Sequence, residues 1–170
     1  MTVPIRFRFN TNKATALILR LLGERGPIGM TDLMVLFYSA NRIHLSRWGR
    51  PILGAGYQTS RSGPMAVEMA DLMNAGNGRH WLREGDVLRL SPDSPSPDLD
   101  IISESDMDAL EQAAATWQAM TETERHASMS TLTSPEGQEV EILWEDMMDE
   151  SPGKAGRVED LRALGPYLHF

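Results

Sequence analysis

Three glycine–proline breaks constrain this chain more than any other feature. They fall at Gly26-Pro27, at Gly49 with Pro51, and at Gly63-Pro64. Proline has no amide hydrogen and clashes with the preceding helical turn, and glycine accepts the left-handed backbone that ends a helix. No helix runs through such points, so the first third must fold as short segments. Residues 5–9, "IRFRF", alternate apolar and basic and predict a half-buried strand with Arg6 and Arg8 on the wet face. "TNKATALILRLLGERG" then changes period, and Ala14, Leu17, Ile18, Leu21 and Leu22 form one helical stripe that Gly26-Pro27 stops. In "MTDLMVLFYSANRIHLSRWG", Thr31 suits an N-cap and Asp32 a first turn. Leu33, Leu36, Phe37, Ala40, His44 and Trp48 recur at helical spacing, which predicts the most buried helix, closed by Gly49 and Pro51.

"ILGAGYQTSRSG" reads as a brief strand or extended loop. Gly63-Pro64 reads as a helix start with proline in the first helical position, and Met65, Met69, Leu72 and Met73 supply its apolar face. "HWLREGDVLRLS" predicts a hairpin across a Glu-Gly-Asp turn, and "PDSPSPDLD" a polar loop. Ser103 with Asp106, and Thr121 with Glu124, have capping-box spacing before helices. Met107, Leu110, Ala114 and Trp117 stripe the first of these, and the second reaches about Leu132. Val140, Leu143, Trp144 and Met147 share one face of a further expected helix, and "RVEDLRALGPYLHF" gives a last short helix with an apolar tail. The expected fold is α+β and mainly α: a compact helical domain, residues 1–170, with a small β-hairpin or short antiparallel sheet.

Composition narrows the chemistry. There is no cysteine, which removes disulfides, thiol catalysis and Cys-built zinc sites and suits a reducing, cytoplasmic setting. No apolar run approaches the length of a membrane span, and the N-terminus lacks the apolar stretch of a secretory leader. The four histidines, His44, His80, His126 and His169, show no trustworthy metal spacing. No phosphate-binding glycine loop and no nucleophile elbow is present, so neither cofactor, metal nor catalytic residue is assigned.

Charge is lopsided. Residues 1–85 hold 11 Lys+Arg against 5 Asp+Glu, and residues 86–170 hold 5 against 19. Between Asp32 and Glu68 there is no acid, while Arg42, Arg47, Arg50 and Arg61 all fall there, with Trp48 and Tyr57 among them. Arginine, tryptophan and tyrosine are the residues that dominate binding hot spots. His44 lies in the same segment. Two readings stand: a partner surface made of Arg42, His44, Arg47, Trp48, Arg50, Tyr57 and Arg61, or core aromatics with arginines capping a helix end. A net charge of −8 argues against direct nucleic-acid binding.

The order of these pieces resembles the Panacea antitoxin domain family, which includes SocA-like antitoxins and protease adaptors. The resemblance is carried by Leu36, Phe37 and Tyr38; His44 and Leu45; Trp48, Gly49, Arg50 and Pro51; Gly54, Tyr57, Gly63 and Pro64; and Ile102, Ser103, Asp106 and Leu110. It covers about residues 12–133 and leaves a divergent, acidic helical extension over 134–170. The family's Thr-His after the second capped helix is Thr133-Ser134 here, and Phe37-Tyr38 replaces its usual Leu-Tyr. The resemblance implies a non-enzymatic protein that neutralises a cognate toxin, encoded by an adjacent gene, through direct protein–protein contact. It also implies delivery of that toxin to a ClpXP-type AAA+ protease in some members. A phage- or prophage-encoded accessory or adaptor protein without its own toxin is the alternative, and a small enzyme around His44, Tyr57 and Arg61 is another.

Overall fold

Helix α2 (Met30–Trp48) is the element on which the others are assembled. It packs along α4 (Glu104–Ala119), and α1 (Thr11–Arg25) lies beside them. The computed structural model describes residues 4–164 and residue 167. His169 and most of the expected apolar tail lie outside the described residues. The fold is α+β and mainly α, with α3 (Val67–Ala75), α5 (Glu122–Met129), the single turn α6 (Trp144–Met147) and α7 (Lys154–Leu164) completing the helices among the described residues.

Two small antiparallel sheets flank α2. The first has the order β1-β5-β4, from β1 (Ile28–Gly29), β4 (Leu82–Glu84) and β5 (Val87–Arg89). The second has the order β3-β2-β6, from β2 (Tyr57–Ser60), β3 (Gly63–Ala66) and β6 (Glu141–Ile142). The hairpin expected at "HWLREGDVLRLS" is present as β4–β5, with Glu84 opposite Val87.

The helical stripe of α1 is buried throughout: Ala14, Leu17, Ile18, Leu21 and Leu22 all lie in the core. Both expected capping boxes form, Ser103 with Asp106 at α4 and Thr121 with Glu124 at α5. Gly49 closes α2 in the left-handed region at φ 70°. One hydrophobic cluster runs from Ile5 to Leu161 and takes in Trp144, Met147 and Met148 from the acidic C-terminal part.

Several expectations are corrected. Residues 5–9 keep the predicted alternation of burial but form no strand. They run instead against the turn after α2, where the Asn10 amide donates to the Leu53 carbonyl at 3.1 Å. Gly54, at φ 72°, sits so near that a Cβ would lie 2.6 Å from the Arg8 carbonyl oxygen. Thr31 is not the N-cap: β1 leads straight into α2, Gly29 holds the cap position, and the Met30 amide donates to Asp86. Gly63 and Pro64 begin a strand, not a helix. They pair with Ser60 and Thr59 across a two-residue loop, and proline is tolerated because β3 is the sheet's edge. The helix expected through Val140–Met147 is replaced by β6, paired with Tyr57 and Gln58, and the single turn α6. Trp144 and Met147 are buried as expected, but Val140 and Leu143 are exposed.

Candidate functional site

His44, Arg50, Ser103 and Asp106 converge on one buried junction. Gly49 reverses the chain at the end of α2 and brings the Arg50 carbonyl back to His44, whose Nδ1–H donates to it at 2.7 Å. That bond fixes the tautomer, because a carbonyl only accepts. The other ring nitrogen, Nε2, then accepts from the Ser105 hydroxyl at 2.9 Å. Ser105 lies in the first turn of α4, where Ser103 Oγ accepts from the Asp106 amide (3.1 Å) and Asp106 Oδ2 accepts from the Ser103 amide (2.9 Å). Lys13 of α1 reaches the same carboxylate at 2.6 Å. Arg50 Nη1 lies 3.6 Å from Asp106 Oδ1, and Arg50 Nη2 approaches Ser105 Oγ at 3.4 Å. Three helices and the turn after α2 are therefore joined through Asp106.

Electrostatics follow from this geometry. Burial alone would raise the Asp106 carboxyl, but hydrogen bonds from Lys13 and the Ser103 amide, with the Lys13 charge, hold it below the ordinary carboxylate value. Burial pulls Lys13 below its ordinary value, and Asp106 opposes that pull. Burial likewise lowers His44, with the Arg50 and Lys13 charges acting in the same direction, so the imidazole is neutral at neutral pH. The junction then carries two cations, one carboxylate and a neutral imidazole. Asp106 Oδ1 makes no hydrogen bond of its own among the described residues, with His44 Nε2 3.4 Å away. Chemically the arrangement ties elements together. Of its two half-exposed serines, Ser103 caps α4 and Ser105 faces a base that already accepts from it.

Trp48 stands at the rim of this junction. Its ring stacks on His44 with centroids 4.6 Å apart, yet it remains 41% exposed. The Arg47 guanidinium lies 5.9 Å from the same ring, at the outer limit of a cation–π contact. A large aromatic held from below and open above is thus presented at the end of the central helix.

The remaining candidates separate. Arg42 is exposed and pairs with Asp149 at 3.3 Å. Arg50 is half-buried and turned toward Asp106. Arg61 is exposed and lies over Gly137, in a different hollow that also involves Arg125 and His126. His44 and Tyr57 are buried and offer no surface to a partner. Tyr57 instead accepts at its hydroxyl from Asn41 Nδ2 at 3.2 Å. His44, Tyr57 and Arg61 thus sit in three different surroundings. Gly49, Pro51, Ser103 and Asp106 all lie at or beside the junction, whereas Gly63 and Pro64 belong to the β2–β3 hairpin.

Sequence reasoning missed Lys13, Ser105 and Asn41. Asn41 is fully buried and saturated: Nδ2 also donates to the Phe37 carbonyl, and Oδ1 accepts from the amides of Ile52 and Leu53 at 2.8 and 3.2 Å. A polar residue on the apolar face of α2, one turn before Leu45, was the available signal. Among the described residues no three His, Asp or Glu gather as a metal site, and no helix is long and apolar enough to cross a membrane. No protein-family model, no curated protein and no solved structure matches the chain.

Proposed function

We propose that the protein is a non-enzymatic, antitoxin-like binding protein that neutralises a cognate toxin by direct contact. The observation that carries this reading is the exposed Trp48, held by His44 beneath it and flanked by Arg47. A rigid aromatic beside an arginine is the anchor type that supplies most of the energy at protein interfaces, since little side-chain entropy is lost on binding. The order of the motif residues in the sequence supports the same class. In this reading the polar junction sets the frame, and the frame presents Trp48. Handing the bound toxin to a AAA+ protease is the second step of the proposal.

Co-expression with the product of the adjacent gene tests it. Expected are a complex that survives purification and rescue of growth from the neighbour's toxicity. A shortened half-life of the neighbour in cells holding the protease would support delivery. A neighbour that neither binds nor harms the cell would remove the antitoxin reading and favour the accessory-protein alternative.

A further inference from the structure

A groove of about 590 Å³ lies between α2, the second half of α4, α5 and the β6 side of the C-terminal segment. That volume falls in the range of sites that seat a ligand or several partner side chains. Its lining includes Ile43, Trp117, Met120, Met129 and Val140, and Val140 is 56% exposed. Apolar surface left open in this way marks an interaction site more often than chance, and methionine and tryptophan are residues that interfaces favour.

Two polar features say what the groove takes. Tyr38 lines it and is only 5% exposed, its ring edge-on to Tyr57 at 5.3 Å, yet its hydroxyl makes no hydrogen bond with any described residue. The hydroxyl is not itself buried and opens onto the groove, where a polar group of a bound partner can replace water on it. The rim is also acidic. Glu141, Asp146 and Asp149 face a single arginine, Arg42, which Asp149 already holds at 3.3 Å. Glu141 has only a loose, exposed contact with Arg6 at 3.8 Å, and Asp146 makes no ion pair among the described residues. A rim with more carboxylates than cations, and with Asp146 unpaired above an apolar floor, complements a cation on an apolar scaffold.

We propose that this groove docks an amphipathic, cationic peptide segment of a protein partner, with apolar side chains on Trp117, Met120 and Val140 and an arginine or lysine held by Asp146 and the Tyr38 hydroxyl. This deepens the binding-protein reading by naming the chemistry of the partner's contacting segment. It requires a protein partner but not that the partner be a toxin.

Panning the full-length protein with a phage-displayed library of random short peptides tests the groove without any knowledge of the partner. Selection is run against wild type, with counter-selection on the Asp146→Lys variant. The expected peptides pair apolar residues with arginine or lysine. A synthetic copy should bind Asp146→Lys and Met120→Lys at least about tenfold more weakly, and Tyr38→Phe several-fold more weakly. Asp146 is exposed and Met120 half-buried, and far-UV circular dichroism checks that both variants fold. Binding should also weaken with added salt. The proposal is overturned if no sequence separates wild type from Asp146→Lys, if the enriched peptides are acidic, or if Met120→Lys breaks a wild-type dimer, which would give the groove to a second copy. Failure of the neighbouring gene's product to bind would remove the antitoxin reading alone.

Discussion

At the scale of single residues, the molecule depends on polar groups placed in its core. Asp106 is fully buried, and its partner Lys13 nearly so. Breaking such a pair from one side leaves an uncompensated charge, whereas removing both sides is far milder. Asp106→Asn should therefore cost roughly 3–5 kcal/mol, and Lys13→Met combined with it should recover much of that loss in urea unfolding. A double variant that loses the sum of the two single losses would show that the two residues are not coupled. Asn41→Ala strands the Ile52 and Leu53 amides and should cost on the order of 3 kcal/mol. His44 gives a pH signature. Its folded pKa is depressed, so the unfolded chain takes up the proton first as pH falls below about 6.5. Stability should decline from there, and decline again as Asp106, also depressed, is protonated below about pH 4. His44→Gln should flatten the first decline and leave the second. Little of this was legible in sequence. Ser103 and Asp106 announce themselves by local spacing, but Lys13 and Asn41 owe their roles to residues far along the chain. A lone lysine in an apolar stripe reads the same whether its end is in water or on a carboxylate.

At the scale of elements, local rules worked where local energies decide. The α1 stripe, the hairpin β4–β5, the two capping boxes and the stop at Gly49 all follow from periodicity and cap chemistry. They failed where a segment's partner was remote. Gly63-Pro64 has the composition of a helix start, but Tyr57–Ser60 offers it a ladder. Residues 140–147 have a helical stripe, yet the free side of β2 takes Glu141 and Ile142 into the sheet. The "IRFRF" alternation correctly gave which side chains are buried, but not whether a strand lay alongside. Gly49 and Gly54 test how turns are specified. Both have positive φ, but a Cβ at Gly49 meets open space and one at Gly54 meets the Arg8 carbonyl. Gly49→Ala should cost about 1–2 kcal/mol from left-handed strain alone. Gly54→Ala should cost clearly more, read as a lower midpoint of thermal unfolding. The reverse order would contradict the close approach of residues 5–9 to this turn.

At the scale of the whole molecule, the uneven charge is met in part from within. Lys13 and Arg50 meet Asp106, Arg42 meets Asp149, and Arg6 meets Glu141, so a basic first half is laid against an acidic second half. The acidic segment is also fastened by packing: Trp144 sets its ring edge against Phe7 at 4.9 Å and lies near Tyr57 at 6.5 Å. Trp144→Ala should accordingly cost about 3–5 kcal/mol, while Arg42→Ala, which breaks only an exposed pair, should cost less than about 1 kcal/mol. What this internal pairing leaves outside is the Trp48 surface with Arg47 and, on another side, the groove at Trp117. The central claim is a division of labour, with the buried junction holding the frame and the exposed Trp48 doing the binding. It is tested most directly by titrating the co-purified partner into the Trp48→Ala protein, with thermal unfolding of the same sample recorded. The account predicts an unfolding midpoint close to wild type and an affinity at least about tenfold weaker, as for removal of an interface anchor. Unchanged affinity in a folded Trp48→Ala protein would contradict it.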